Sequence, residues 1–387
     1  MTTSLFLQSE IKDPYRFYQT MHTQNPVYWD EKNQIWALYS YDACEIILKS
    51  SFAHIPEINS NNEQGLNNCA LQISNQLARL SNGIQHDIAR EVAMLLFSNM
   101  NITDTSEIME KLLLKRKNES ELDWVNLVCK QLPILVVLKS FDFDANDYRF
   151  VCENIEQLIK IMMPNKTQEQ VQCVNAIAER MYTIVKKKLV DSGLCNSFME
   201  ILSEKYQMGK GEIMSLLASN LIGLFIQSYD ACRGLLSNSL LQIVKMDHPF
   251  FGESIENDWM QNVVIETLRY DSPIHTTRRV AVQDIFLNDV VIKKGEKILL
   301  VLAAANRDSK RFSKADTFDI TRINNGEHLT FGIGGHECLA KHFSVRLTTD
   351  ALLYLFRTYT NIKVLEKKIE YEPLSNVRLS KNLLISI

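Results

Sequence analysis

The sequence predicts a mainly helical fold, and the periodicity of its apolar residues is the first reason. Most segments between residues 78 and 270 repeat apolar side chains with the helical period. Breaks are expected near Asn118, Pro164 and Gly193. One helix stands out, because residues 211–244 are apolar nearly all round and contain no proline. A helix that is apolar on every side is a buried one, so this helix should run through the core.

Small β-sheets complete the prediction. Residues 26–40 form two short aromatic and aliphatic runs around a polar turn, which is typical of a hairpin. Residues 279–303 alternate and contain turn residues, and residues 361–387 look strand-like again. No internal repeat, low-complexity tract or linker divides the sequence. We therefore predict a mainly α fold with small β-sheets, organised as a single domain over residues 1–387.

Composition and charge restrict the possible functions. The chain has 387 residues, of which 46% are hydrophobic, so it can bury a large core. Its formal net charge of −4 provides no global basic field, so we predict no nucleic-acid partner. The N-terminal residues show neither a signal-peptide pattern nor an apolar run of membrane-spanning length. These features predict a cytoplasmic protein that has no membrane partner.

The cysteines argue against disulfides and structural zinc. No two of the eight are close enough for a CxxC pair, and no Cys/His cluster has the spacing of zinc ligands. Most of them are expected to be small core residues. Cys338 is the exception.

The stretch HLTFGIGGHECLAKHFSVRL, residues 328–347, surrounds Cys338 with unusual residues. Three glycines within four positions precede the cysteine, which opens an apolar helical run. Glycine permits unusual dihedrals and close approach of the backbone to another body. A helix N-terminus beside the thiol favours the thiolate. The pattern predicts a sulfur that is presented to a flat and tightly held group.

Two pairs of polar residues accompany this loop. Glu266 and Arg269 lie three apart, where side chains on a helix meet, although a surface ion pair has the same spacing. His86 and Arg90 lie four apart and share one helical face.

This combination resembles the cytochrome P450 family, and specifically its soluble bacterial members. The family's loop, Phe-Gly-x-Gly-x-His-x-Cys-x-Gly, is matched at five positions, with Ala340 in place of the final glycine; the matching residues are Phe331, Gly332, Gly334, His336 and Cys338. Its ExxR motif is matched by Glu266 and Arg269, and Arg322 stands where an arginine completes their network. The likeness covers essentially the whole chain.

The resemblance implies a cytochrome P450 fold, a triangular domain that holds haem between a long distal helix and the cysteine loop. Haem b would be the cofactor, and Cys338 would be the thiolate ligand of its iron, which favours O–O cleavage. The loop residues Phe331 and Gly332 would contact the haem. Glu266, Arg269 and Arg322 would maintain the fold rather than take part in the chemistry.

The haem propionates need cationic partners, and the resemblance implies His86, Arg90, Arg279 and His336. For His86 and Arg90, an ordinary exposed helix face is the open alternative.

Residues 211–244 would be the distal helix, and here the chain departs from the family. The usual Ala-Gly-x-Asp/Glu-Thr-Thr is replaced by residues 227–232, Gln-Ser-Tyr-Asp-Ala-Cys. The acid is kept as Asp230, but the threonine that helps to deliver protons has become Ala231. Gln227 shares a face with Ala231, and its amide either faces the haem or bonds a neighbouring helix. Asp230, Gln227 and Ala231 are the candidate catalytic positions, and Cys232 is expected in the core.

The resemblance implies a monooxygenase that oxidises a small to medium organic substrate, in specialised metabolism, with O2. Electrons would come from a ferredoxin-type donor and its reductase, because the 387 residues contain no flavin or iron–sulfur domain. We expect a monomer. The segments expected to line the substrate pocket, about 54–80, 150–190 and the final strands, carry no substrate signature.

Two other functions stay open. Ala231 also suits a peroxide-driven or non-oxygenating haem-thiolate enzyme, such as an isomerase or dehydratase. A haem-based sensor would instead bind small ligands without turnover.

Overall fold

The computed structural model describes residues 3–57, 64–101, 103–114, 120–163, 166–246, 254–287 and 289–387. The α-helices are α1 (Pro14–Gln24), α2 (Tyr41–Lys49), α3 (Asn68–Gln76), α4 (Gly83–Ser98), α5 (Thr105–Leu114), α6 (Leu132–Ser140), α7 (Ala145–Leu158), α8 (Gln168–Asp191), α9 (Leu194–Tyr206), α10 (Lys210–Ile243), α11 (Asn257–Tyr270), α12 (Leu302–Ala305) and α13 (Lys341–Thr358). The strands are β1 (Val27–Asp30), β2 (Ile35–Leu38), β3 (Ala53–His54), β4 (Glu121–Asp123), β5 (Thr277–Ala281), β6 (Ile285–Leu287), β7 (Val290–Ile292), β8 (Lys297–Leu300), β9 (Lys363–Val364) and β10 (Leu384–Ser386).

The chain forms two compact units. The first contains residues 1–54, 104–132 and 230–387, and the second contains residues 55–103 and 133–229. Helix α10 begins in the second unit and ends in the first. The single-domain organisation stays a prediction.

The first unit carries the sheets. Strands β1 and β2 pair antiparallel, with Val27 opposite Leu38, which confirms the predicted hairpin. They extend into a five-stranded sheet in the order β1-β2-β8-β5-β3, in which β2 and β8 run parallel. The predicted sheet at residues 279–303 is confirmed as β5 to β8, although residues from Leu302 onward are helical. In the described residues, short pieces of the predicted C-terminal strands form, namely β9 and β10, and β10 pairs with both β9 and β4.

The second unit is helical, as predicted. Its core gathers apolar side chains from α3, α4 and α6 to α10, and Phe143 and Phe225 meet edge to face with ring centroids 5.8 Å apart. The expected break at Gly193 is confirmed, since this residue has a φ of +73° between α8 and α9. The breaks expected near Asn118 and Pro164 lie outside the described residues. In the described part of the chain, no helix is both long and apolar enough to cross a membrane.

Candidate active site

The glycine-rich loop before α13 folds back on itself and presents Cys338. The Cys338 N–H donates to Phe331 O at 2.9 Å, and the Gly332 N–H donates to Leu329 O at 2.8 Å. Gly332 and Gly334 adopt backbone φ values of +65° and +76°, which residues other than glycine rarely adopt. Cys338 is half-buried, three residues before the first residue of α13. The loop therefore holds one sulfur in a fixed position that remains accessible.

The close approach that requires Gly334 is to the protein itself. A Cβ at residue 334 would lie 2.9 Å from Leu48 O at the end of α2. At Gly335, by contrast, a Cβ would meet nothing within 4 Å. The end of α2 thus supports the cysteine loop from one side.

The ExxR pair on α11 is buried rather than exposed. Arg269 and Glu266 form a bidentate ion pair with N–O distances of 2.7 and 2.9 Å, and both side chains are 0% exposed. The other N–H groups of Arg269 donate to Asn306 O, Ala315 O and Thr317 O, so all five donors are used. Arg322 reaches Glu266 Oε1 at 3.4 Å, as the resemblance implies. This network ties α11 to the segment that precedes the cysteine loop.

Arg279 on β5 is a buried cation whose hydrogen-bond partners in the structure are neutral. Its side chain donates to Thr277 Oγ1 at 3.2 Å and to Arg278 O at 2.8 Å. Among the described residues, no carboxylate forms an ion pair with it. Burial lowers its pKa to about 10. A buried guanidinium in this state favours a bound anion.

His86 and Arg90 lie on α4 in the second unit. His86 is buried, and its Nδ1 is 2.7 Å from Ala78 O, whereas Arg90 is half-buried. His86 therefore does not lie on an ordinary exposed helix face.

The middle of α10 contains an accessible stretch that interrupts the buried length of the helix. Every residue from Ile213 to Ile243 is buried except four; these are Gln227, Ser228, Asp230 and Ala231. At spacings of one, three and four residues, the four lie on one side of the helix, so space adjoins that side.

The sequence left two arrangements open for the Gln227 amide, one facing the haem and one bonded to a neighbouring helix. The hydrogen bond in the structure is a third arrangement. Gln227 Nε2 donates to Gly223 O at 3.1 Å, within its own helix. Cys232 is buried, as expected, and its thiol is 3.7 Å from Ser344 Oγ on α13. Burial raises the pKa of this thiol to about 11.

None of the eight cysteines, all of which lie in the described ranges, forms a disulfide bond. Within the described ranges, no cluster of three or more His, Cys, Asp or Glu side chains is placed to hold a metal ion. A single thiolate in an accessible loop is instead the donor expected for a haem iron.

Comparison with known proteins agrees with this geometry. The family model for cytochrome P450 matches residues 258–376, which include the ExxR helix and the cysteine loop. The biotin biosynthesis cytochrome P450 of Bacillus subtilis is 27% identical over 96% of this chain and 96% of its own length.

Two solved structures share the fold. P450BioI, in a complex with acyl carrier protein ligated to hexadec-9Z-enoic acid, has a TM-score of 0.78 at 24% identity, covering 97% of this chain and 98% of its own. CalO2 has a TM-score of 0.80 at 16% identity, covering 97% and 96% of the two chains.

A mainly helical fold with a cysteine that follows a glycine-rich loop and with a buried ExxR pair is typical of haem-thiolate proteins. The family model, the relatives and the shared fold together support a bacterial cytochrome P450, which is a monooxygenase with haem b as cofactor. The chain's own residues suit a haem: Cys338 would supply a half-buried thiol, and Arg279 would supply a buried cation for a propionate.

Sequence reasoning missed two features around this site. The first is the support of Gly334 by α2. The second is the packing of Leu77 against Gly223, for which the only signal was a glycine in an otherwise bulky, buried helix. Both are contacts between segments far apart in sequence, which no local pattern records.

Proposed function

We propose that this monooxygenase oxidises a small to medium organic substrate without using a side-chain hydroxyl on its distal helix. The observation that carries the proposal is Ala231, which lies in the accessible stretch of α10 where the family pattern that the sequence resembles has threonine. Bound haem supplies the activation of dioxygen, a reaction that consumes protons. Alanine can neither donate a proton nor hold a water by hydrogen bonding.

Two sources of protons remain, a polar group of the substrate or a water held by Gln227. The Gln227 amide donates to Gly223 O, which favours the substrate as the source. Asp230 is half-buried on the same side of α10, and in the second case it would supply protons to the water that Gln227 holds. We keep Gln227, Asp230 and Ala231 as the residues that decide this step.

Product formed per NAD(P)H consumed tests the proposal. If Gln227 holds the water that delivers the proton, Gln227→Ala should divert reducing equivalents to peroxide. One general-acid contribution to a rate is worth about 10²–10⁴-fold. If the substrate supplies the proton, Gln227→Ala should retain coupling, and a substrate analogue without its polar group should lose it. A severalfold rise in coupling for Ala231→Thr would exclude both routes.

Hexadec-9Z-enoic acid is the first substrate to test, because P450BioI is described in a complex with a carrier of this acyl chain. A shift of the haem absorption band on addition, followed by product formation, supports an aliphatic acyl substrate. Absence of both excludes this substrate.

Ala231 equally suits a peroxide-driven enzyme, so a control with peroxide alone accompanies these assays. Product with peroxide but not with O2 and a reductase would favour that function. Failure to form product with any oxidant would favour a sensor.

We further propose that a ferredoxin-type donor docks at a groove in the first unit. This groove has a volume of about 830 Å³ and exposes one side of the cysteine loop at Phe331 and Ile333. Its rim carries Lys49 and Lys341, each 2.7 Å from a glutamate four residues earlier in the chain. Docking here brings electrons to the loop that ends in Cys338.

Replacement of Lys49 and Lys341 by alanine should raise the KM for the donor several-fold and leave the haem spectrum unchanged. Lys187→Ala is the matched control, because Lys187 forms the same kind of ion pair, at 2.8 Å, with Asp191 in the second unit. Equal effects at both places would reject the groove as the docking site.

A further inference from the structure

Two lysines of the groove in the first unit are each paired with a carboxylate of the same groove. Lys49 Nζ lies 2.7 Å from Glu45 Oε1, four residues earlier in α2. Lys341 Nζ lies 2.7 Å from Glu337 Oε1, with the same spacing. All four side chains line the groove. A partner therefore gains a contact with either lysine only if that lysine leaves its glutamate.

The remaining charges of the groove are balanced in the same way. Arg346 Nε is 3.6 Å from Asp350 Oδ2, and Arg311 Nη2 is 2.9 Å from Glu327 Oε2. In the described part of the chain, the lining of the groove thus contains four carboxylates and three lysine or arginine side chains, and Arg311 beside it adds the fourth cation. With the histidines counted as neutral, these charges cancel, so the groove presents no net positive field to an acidic partner.

The two lysine pairs are exposed and can therefore exchange partners. The side chains of Lys49 and Lys341 are 59% and 36% exposed. An exposed ion pair changes an equilibrium constant by about fivefold at most. A lysine can leave its glutamate for a carboxylate of a partner, but the partner gains little affinity, because one ion pair replaces another.

We propose that Glu45 and Glu337 are counter-charges that weaken the binding of an acidic electron donor and thereby shorten the lifetime of its complex. The inference rests on the proposed function in taking the groove as the docking site of a ferredoxin-type donor. An acidic docking face is complementary to the two lysines, whereas the glutamates repel it. A monooxygenase turnover consumes two electrons, so a donor that carries one electron must bind and leave twice. Rapid release of the donor suits this cycle.

The experiment compares two double variants that raise the net charge by the same amount. Glu45→Gln/Glu337→Gln removes the counter-charges of the groove. Glu107→Gln/Asp191→Asn is the matched control, because it breaks two ion pairs of the same four-residue spacing, at 2.7 and 2.8 Å, away from the described residues that line the groove. Exposed ion pairs contribute little to stability, so both double variants should retain the wild-type spectrum of the reduced carbon monoxide complex.

The probe is a plant-type [2Fe–2S] ferredoxin, titrated against each haem-loaded protein. At low salt, about 20 mM NaCl, Glu45→Gln/Glu337→Gln should lower the Kd about three- to tenfold and slow dissociation, because both lysines then bind the donor without losing a partner. At about 500 mM NaCl the difference should shrink to less than about twofold, since salt screens exposed charges. The control double variant should stay within about twofold of the wild-type Kd in both buffers.

The inference is overturned if the groove variant leaves the Kd unchanged, and absence of binding in both proteins counts as unchanged. It is also overturned if the control variant tightens binding to the same extent, because overall charge would then explain the effect.

Lys49→Ala/Lys341→Ala separates this inference from the proposed docking site. If that variant and the glutamate variant both bind the ferredoxin like the wild type, the groove is not the docking site. If the lysine variant weakens binding while the glutamate variant leaves it unchanged, the docking site stands and the role of Glu45 and Glu337 is rejected.

Discussion

Cys338 and Cys232 differ in environment although both are thiols of the same chain. Cys338 lies in an accessible loop that its own backbone bonds hold open, whereas Cys232 is buried against Ser344. Iron ligation needs the thiolate, and burial raises the pKa of Cys232 to about 11. Of these two thiols, Cys338 is the one that is partly exposed and held in a loop by backbone hydrogen bonds.

We expect Cys338→Ala to abolish the long-wavelength absorption of the reduced carbon monoxide complex for which the family is named. Cys232→Ala should retain it, because that thiol is a core residue. The absorption spectra of the two variants, reduced and treated with carbon monoxide, test which cysteine is the ligand. A thiolate spectrum that survived in Cys338→Ala would refute the ligand assignment.

Adjacent arginines on β5 offer a test of propionate binding. Arg279 is buried, whereas Arg278 is exposed. Arg279→Leu should lower haem retention on gel filtration, because a desolvated propionate without its partner costs about 2–5 kcal/mol. Arg278→Leu should retain haem like the wild type. Equal retention in the two variants would remove Arg279 from the haem site.

At the scale of the element, α10 shows how a single missing side chain fixes a packing arrangement. A Cβ on Gly223 has no room beside Leu77, whereas one on Gly211 would meet nothing within 4 Å. Both glycines lie in the same helix, so the difference in available space comes from the side chains that pack around each position.

Gly223→Ala should lower the free energy of unfolding by about 1–3 kcal/mol, because overpacking forces Leu77 to move. Gly211→Ala should raise it by about 0.5–1 kcal/mol, since alanine loses less backbone entropy in a helix. Denaturant unfolding of the two variants gives both values. The same sign for both would contradict the close packing at residue 223.

The ion pair on α11 depends on the shape of arginine as well as on its charge. All five N–H groups of Arg269 have partners, three of them carbonyl oxygens of the segment from Asn306 to Thr317. Lysine keeps the charge but has three donors and no planar fork.

Arg269→Lys should therefore destabilise the protein by about 3–5 kcal/mol, which is typical when a buried pair is broken. Lys293→Ala is the comparison, because Lys293 pairs with Asp284 at 2.9 Å on the exposed surface. Its removal should change the free energy of unfolding by less than about 1 kcal/mol. Thermal or denaturant unfolding that showed equal losses would argue against a structural role for the α11 pair.

At the scale of the whole molecule, buried histidines make stability depend on pH. Burial lowers the pKa of His328 to about 4 and lowers that of His275 well below its usual range. The unfolded chain binds these protons below pH about 6.5, while the folded chain does not. The contribution of these histidines to the free energy of unfolding is therefore complete above pH 6.5, and it is lost as the pH drops towards 4.

For His328 alone, the loss between pH 6.5 and 4 should amount to about 3 kcal/mol at most. His328→Asn removes the titrating ring and keeps an acceptor for the Thr330 N–H, which donates to His328 Nδ1 at 3.3 Å. Its unfolding free energy should therefore fall less steeply over this range. Identical slopes for variant and wild type would show that His328 does not stay neutral in the fold.

The sequence by itself determined the helical class, the long buried helix, the hairpin, and the identity of the cysteine loop and the ExxR pair. These features are local, because periodicity, turn residues and short motifs each depend on neighbours within a few positions. Comparison of residues 227–232 with the family motif through Asp230 also placed Ala231 where the motif has threonine.

Only the tertiary structure decided what those residues touch. The support of Gly334 by Leu48 and the packing of Leu77 on Gly223 both join segments distant in sequence. The burial of Arg279 also appears only in the folded chain. The internal bond of Gln227 likewise depends on which side-chain rotamer the surrounding packing allows. Local patterns set which elements form, but contacts between elements are fixed by side-chain volume and hydrogen-bond satisfaction in the assembled core.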